Sequence, residues 1–428
     1  MNSKIQTDIK ELVAQRVISV DVASDIERYY SSKKSDAPNR LFTVFAVLGS
    51  TLVGLGIILI LAHNWDDFSR SIKTIFAFAP LVIGQLIIGF SILKKKSATW
   101  LEGSGVFLFF AVGASMALVS QIYNIPGNFS SYLLTWILLC LPLVYLLKSK
   151  TLAVLHIAFT TSYACSFGYF VGNDTPWLYL LLLVLVLPYY YQLLKQKKEH
   201  NITSIFNWLV PLSVIIVLGT FVERSATLGF LMYVILFGLL YNIGKLAYFD
   251  NQKLRRNGYL ILGSLGTVCM LLITSFEWLW NDILRDHLLF NSQEFYVVLL
   301  LLILTLGVLG YSYFKKWIEG FNLFQYVFIL FTIIFFIEWS NSFTSLVLIN
   351  LLILALGVIA IKIGADKFHF GVLNYGLLII TALIVCRFFD TDMSFVVRGL
   401  LFVSVGVGFF LTNYIMLKKQ KLNSNNKK

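Results

Sequence analysis

The sequence predicts an all-α, polytopic membrane protein: a bundle of about fourteen transmembrane helices behind a small N-terminal helical hairpin. Three observations carry this. First, 58% of the 428 residues are hydrophobic and only 13% are charged, against roughly 25% charged in a soluble domain, and the mean hydropathy is +0.79. Second, apolar runs near twenty residues recur along the chain, and about 20 residues at a 1.5 Å rise cross a ~30 Å hydrocarbon layer. Third, these runs do not alternate in polarity, as the strands of a membrane barrel must.

Residues 1–40 form a polar head. Ile5, Ile9, Leu12 and Val13 fall at helical spacing and give one apolar stripe. Ser19 is placed to cap a second helix from about Asp21 to Tyr30, with Val22, Ile26 and Tyr29 on its inner face. Ser, Lys, Asp and Pro then make a linker up to Arg40. A hairpin this short buries little, so it is expected to lean on the membrane domain or on a protein partner reached through residues 1–35. The polar start predicts no cleavable leader.

The membrane domain spans 41–416 and a basic, Asn-rich tail spans 417–428. Its fourteen apolar segments lie at about 41–62, 72–93, 101–122, 131–147, 151–172, 176–194, 204–222, 226–244, 257–276, 295–314, 321–337, 343–361, 368–386 and 396–416. With the N-terminus inside and the crossings alternating, 28 of the 34 basic residues fall on the inner face. Only Arg70, Lys73, Arg224, Arg285, Arg387 and Arg398 fall outside. That bias is the positive-inside rule, and one missed span would scramble it. The acids divide evenly, so the inner face is strongly positive and the outer face weakly negative. Topology and anionic lipid at the inner face account for the net charge of +12; no nucleic acid partner is needed. Trp65, Trp177, Trp278, Trp280 and Trp339 at outer ends, with Trp100 and Trp317 at inner ends, read as an aromatic belt.

Several outer helix ends carry acids and aromatic rings together. One set is His63, Asn64, Trp65, Asp66 and Asp67. The others are Glu277, Trp278 and Asp282; Glu338 and Trp339; and Arg387, Asp390 and Asp392, with Arg398 opening the last helix. If these ends meet, they line a vestibule suited to cations, sugars or amphiphilic headgroups. The competing reading is that the acids are solvated, the tryptophans anchor and the arginines snorkel. Arg387 and Asp390 are three apart and can pair. Asp66 or Asp67 could instead serve as the base of a polyprenyl-phosphate-sugar-dependent glycosyltransferase, although no large outer domain is present to hold an acceptor.

Within the apolar segments, Gln85, Gln121, His156, Asn350 and Asn374 are expected to face the protein interior. No acid or base sits at mid-membrane, which argues against strong ion coupling. Gly49, Gly54 and Gly56, then Gly103, Gly105 and Gly113, and last Gly399, Gly406 and Gly408, are read as packing faces. Gly238 to Lys245 imitates a phosphate loop with the wrong spacing, and Leu246 stands where Ser or Thr should. Leu48-Gly49-Ser50 and Leu262-Gly263-Ser264 precede Trp65 and Trp278 by similar distances, a hint of an internal repeat. Cys140, Cys165, Cys269 and Cys386 all lie in apolar segments, without disulfide or zinc spacing. The sequence predicts no metal, no cofactor and no catalytic residue.

Two stretches carry a family resemblance. LVAQRVISVDVASDIERYY from Leu12, then GLGIILILAHNWDDFSRSIK from Gly54, resemble the bacterial membrane family catalogued as domain of unknown function 2157 (DUF2157). There a short helical head precedes a first membrane helix ending in an Asn-Trp-Asp-like motif; Asn64, Trp65 and Asp66 match it, while His63 replaces a small residue. The ending from Arg387 to Tyr414 is similar to the tail of longer members through Arg387, Asp390, Arg398 and Gly399. The resemblance implies an integral protein of the cell envelope, multi-pass in the bacterial cytoplasmic membrane, and no established activity. The function expected is a transporter or flippase-like protein, not an enzyme, for an envelope-related amphiphile or small, or lipid-linked, solute. A membrane sensor or scaffold acting through the head is the alternative, and the glycosyltransferase a third.

Overall fold

A computed structural model of the chain describes residues 3–32, 65–171, 175–196, 198–250, 252–282, 291–317, 322–337, 342–390 and 395–425. Every regular element among the described residues is helical. The first apolar segment, 41–62, and with it Gly49, Gly54 and Gly56, lies outside them.

The chain divides into two compact units, Met1–Phe76 and Ala77–Lys428. In the first, α1 (Ser3–Ala14) and α2 (Val20–Ser32) pack on each other. Ser19 Oγ accepts the Val22 amide, as its capping position predicts. Ile9 and Ala23 are buried between the helices, while Leu12, Val17, Val20, Val22 and Tyr29 stay exposed.

The remaining helices are α3 (Arg70–Leu93), α4 (Ala98–Tyr123), α5 (Phe129–Leu146), α6 (Lys150–Cys165), α7 (Leu178–Gln196), α8 (Asn201–Leu218) and α9 (Ala226–Gly244). They continue as α10 (Gly258–Ile273), the short α11 (Glu277–Asp282), α12 (Gln293–Phe314), α13 (Val327–Ile337), α14 (Ser342–Asp366), α15 (Phe370–Asp390) and α16 (Phe395–Asn425). Thirteen of the fourteen expected apolar segments coincide with these helices. Among the described residues, nine helices are long and apolar enough to cross a membrane. The helix α10 and the described apolar parts of α13 and α16 are shorter.

Local chemistry sets the helix ends. Asn128, Ser149, Ser225, Asn257 and Ser292 each accept an amide three residues on and so start α5, α6, α9, α10 and α12. Lys95, Lys148, Lys316 and Phe368 close α3, α5, α12 and α14 with positive φ. That left-handed residue lets the next amide fold back, as His369 N does to Gly364 O at 2.8 Å. Lysines also suit a helix C-terminus electrostatically, so three of these stops coincide with the lysine-rich end of the bundle.

The core centres on α9, which is 78% buried over its apolar window, against 22% for α3 and α12. A helix apolar on every side belongs in the middle of such a bundle. Its partner α10 approaches backbone to backbone: a Cβ on Gly263 would overlap Tyr241, and one on Gly244 would overlap Leu260. Gly238 receives Phe328 of α13. These glycines of the false phosphate loop are therefore packing positions. A second tight hairpin, α14–α15, closes through Gly364 against Leu373 and Gly376 against Ile361. The expectation is half met elsewhere. Gly105 and Gly113 are packed, but Gly103, Gly399, Gly406 and Gly408 have nothing near an added Cβ. Gln85, Gln121 and Asn374 are exposed rather than turned inward.

Candidate functional site

The helix α6 does not end cleanly. It runs into a π-helical turn, Ser166–Val171, a wider coil that often accompanies functional sites. Side chains hold it from two sides. Ser166 Oγ shares a 2.9 Å hydrogen bond with Ser130 Oγ, both buried. Tyr169 Oη donates to Ile216 O at 2.9 Å. Gly168 is required, because a Cβ there would overlap Thr220.

Beside this turn, the start of α5, the end of α6 and the segment leading into α7 leave a cavity of about 230 Å³. Ser130, Ser131, Tyr163, Phe167, Thr175 and Trp177 line it. Its walls are aromatic, its polar groups are hydroxyls, and among the described residues no lining side chain is charged. Trp177 is half exposed and held edge-on to Phe221, with ring centres 5.2 Å apart. Farther along α6, three residues in from Tyr163, Thr160 is fully buried and its Oγ1 has no hydrogen-bond partner. One turn beyond, His156 is buried with Nε2 2.9 Å from Leu182 O. A carbonyl only accepts, so Nε2 carries a proton.

Thr175 connects the cavity to a second polar group. Its Oγ1 donates to Gln293 Oε1 at 2.8 Å, and Gln293 Nε2 donates to Glu223 Oε2 at 3.1 Å. The neighbouring Glu294 is fully buried. Its Oε1 accepts the amides of Glu223 (2.8 Å), Arg224 and Ser225 (3.0 Å), the segment that starts α9. A carboxylate at a helix N-terminus is favoured by the helix dipole. Glu102 repeats the device at the opposite end of the bundle. It accepts Ser149 Oγ and the amides of Lys150 and Thr151 at the start of α6.

The residues expected to form one vestibule are placed as follows. His63, Asn64, Glu338, Trp339 and Asp392 lie outside the described residues. Asp66 and Asp67 are exposed in a turn of the N-terminal unit, beside Trp65, over which Lys73 sits at 5.7 Å. Asp282, Asp390 and Arg398 are described by helix position alone, in α11, at the end of α15 and in the first turn of α16. Glu277 and Trp278 are exposed on α11. What the structure brings together is Arg387 and the break between α10 and α11. Arg387 Nη2 donates to Ser275 O and Ser275 Oγ, and its guanidinium lies 5.3 Å from the Phe276 ring centre. Trp280 differs from its expected place in an aromatic belt. It is buried, and its Nε1 donates to Thr274 O at 2.6 Å. The two carbonyls freed at the C-terminus of α10 are thus satisfied by Trp280 and Arg387, which is a structural use of both. Among the described residues, no three of His, Cys, Asp and Glu converge to hold a metal ion.

Sequence reasoning missed Ser130, Tyr163, Thr175, Glu223, Gln293 and Glu294. Ser292-Gln293-Glu294 reads locally as the start of α12, and nothing nearby announces partners about seventy residues back.

Among the described residues, nine long apolar helices, the buried central α9 one of them, define a multi-pass α-helical membrane protein. Residues 10–153 match the family described as "Predicted membrane protein (DUF2157)", the family that the head and the Asn64-Trp65-Asp66 motif resemble. The match runs to Ala153, near the start of α6, so it includes Ser130 and Ser131 but neither Tyr163 nor Trp177. No curated protein and no solved structure matches the chain.

Proposed function

We propose that this protein is a transporter or flippase-like protein of the bacterial cytoplasmic membrane, acting on an envelope-related amphiphile or small solute. In this reading it has fourteen spans with both termini inside, and the lysine-rich end faces the cytoplasm. One observation carries the reading: the uncharged, hydroxyl- and aromatic-lined cavity beside the π-helical turn, at the end of the bundle away from the lysines. Binding sites in membrane bundles favour interrupted helices, and concave, mostly apolar cavities with a few placed polar groups are the usual form of a small-ligand site. The test is reconstitution. Proteoliposomes are expected to expose inner-leaflet fluorescent lipid, or to take up solute, faster than empty vesicles, with Tyr163→Ala and Trp177→Ala losing most of the gain. Equal rates in all four preparations would refute it.

The sensor or scaffold reading has its own support in the exposed apolar residues of α1 and α2, Leu12, Val17, Val20 and Tyr29 among them. Removing residues 1–32 separates the two: a scaffold loses its complex, whereas a transporter keeps its flux.

A further inference from the structure

The cavity between α5, α6 and α7 has a chemistry more specific than its shape. We infer that it takes one neutral, polyhydroxylated ring, a sugar or the sugar headgroup of a lipid. The inference rests on the cavity being the binding site of the transport reading, and it adds the class of ligand.

Size comes first. The cavity of about 230 Å³ is room for a single ring. Charge comes next. Among the described residues no lining side chain is ionic, and an ion placed against them would lose its hydration without a partner. Glu223, tied to the site through Gln293, is already engaged by that amide.

The polar groups then specify hydroxyls. A carboxylate only accepts, so Gln293 must turn its amide nitrogen to Glu223 and its oxygen to Thr175. Thr175 is therefore a fixed donor to Gln293, and its lone pairs remain as an acceptor at the cavity. Ser130 and Ser166 share one hydrogen bond, which leaves one of the two protons for another acceptor. Ser131 Oγ stands at the exposed edge. A ligand here must donate to Thr175 and accept from the Ser130–Ser166 pair, and a ring bearing several hydroxyls does both. The walls complete the match. Trp177 and Phe167 line the cavity, and the face of an aromatic ring is negative, which suits the C–H face of a pyranose.

The experiment uses the full chain in glycolipid-free nanodiscs. Glucose, galactose, mannose and N-acetylglucosamine are each titrated to high millimolar concentration while tryptophan fluorescence and Tm are followed. A parallel set of nanodiscs carries glucosyldiacylglycerol. At least one sugar is expected to give a saturable fluorescence change and to raise Tm. Trp177→Phe should remove the fluorescence change and keep the Tm shift, because a phenyl face remains. Thr175→Val and Ser131→Ala should each weaken binding roughly 2- to 12-fold, the range of one neutral hydrogen bond. Ser131 is exposed, so its variant keeps the test valid if Thr175→Val fails to fold. A response to free sugar and glycolipid alike shows that the ring suffices. A response to glycolipid alone places the ring on a lipid. Both support the assignment. No saturable response to any sugar, free or lipid-borne, overturns it, as does equal binding of glucose 6-phosphate. If sugars fail while Tyr163→Ala still abolishes flux in proteoliposomes, the ligand class falls and the transport reading stands.

Discussion

Gly113 and Gly103 sit on the same helix and look alike in sequence, but their surroundings separate them. Gly113 faces Trp136, whose indole would be overlapped by a Cβ. That ring cannot retreat easily, because Nε1 donates to Phe109 O at 2.8 Å and the ring packs against Phe109 and Phe159. Tyr132 Oη also donates to Gly113 O at 2.9 Å. Gly103 has nothing within reach of an added Cβ. Gly113→Ala is therefore expected to cost about 1–3 kcal/mol, the usual range of overpacking. Gly103→Ala should be neutral or slightly stabilising through helix propensity. Thermal unfolding of the two variants in the same detergent checks this, and equal Tm values would contradict the packing. The sequence could group Gly103, Gly105 and Gly113 as one small-residue face. It could not say which of them meets a ring supplied from 23 residues away.

At the scale of elements, helix positions were legible and helix fastenings were not. Hydropathy alone places α3 to α10 and α12 to α16, because each apolar run is locally complete; the short, acidic α11 has no such run. Caps such as Ser19, Ser149 and Ser225 were also within reach, since their amides lie three residues on. The far fastenings have no local signature: Glu294 to the 223–225 amides, Glu102 to Ser149, Arg387 to Ser275, this last pair 112 positions apart. The cavity was hidden for the same reason. Its hydroxyls and rings come from three helix ends, and each end alone resembles an ordinary interfacial belt. Glu294 is the strongest of the fastenings, for it holds three amides where α9 enters the bundle. Glu294→Ala should cost about 1.5–3 kcal/mol, the worth of hydrogen bonds to a charged group. Glu294→Gln should fall between it and the wild type, because a neutral oxygen still accepts but the charge assistance is lost. The order Ala, Gln, wild type in Tm is the outcome to look for; an alanine variant as stable as the parent would mean that α9 is positioned by packing alone.

For the whole molecule, the decisive question is which end of the bundle faces which side. Contacts in the second unit already pair ends as alternation requires. The starts of α7 and α12 meet through Thr175 and Gln293, the starts of α4 and α6 through Glu102, and the ends of α10 and α15 through Arg387. Basic residues then give the bundle its sign: Lys94, Lys95, Lys96, Lys148 and Lys316 gather at one end and Glu223, Glu277 and Glu294 at the other. The four cysteines, Cys140, Cys165, Cys269 and Cys386, lie inside helices, so a membrane-impermeant maleimide should meet little background in intact cells. Cysteine at exposed positions 66 and 278 is expected to label from outside. Cysteine at 95 and 316 should label only after the cells are opened if, as proposed, the positive-inside bias holds those loops in the cytoplasm. Labelling of 66 and 95 from the same side would break the alternation between the two units. Labelling of 95 and 316 from outside, with 278 protected, would invert the bundle and turn the cavity toward the cytoplasm. A cavity facing inward would meet its proposed ligand from the cytoplasmic side, so the same labels also choose the side on which sugar is supplied in the transport assay.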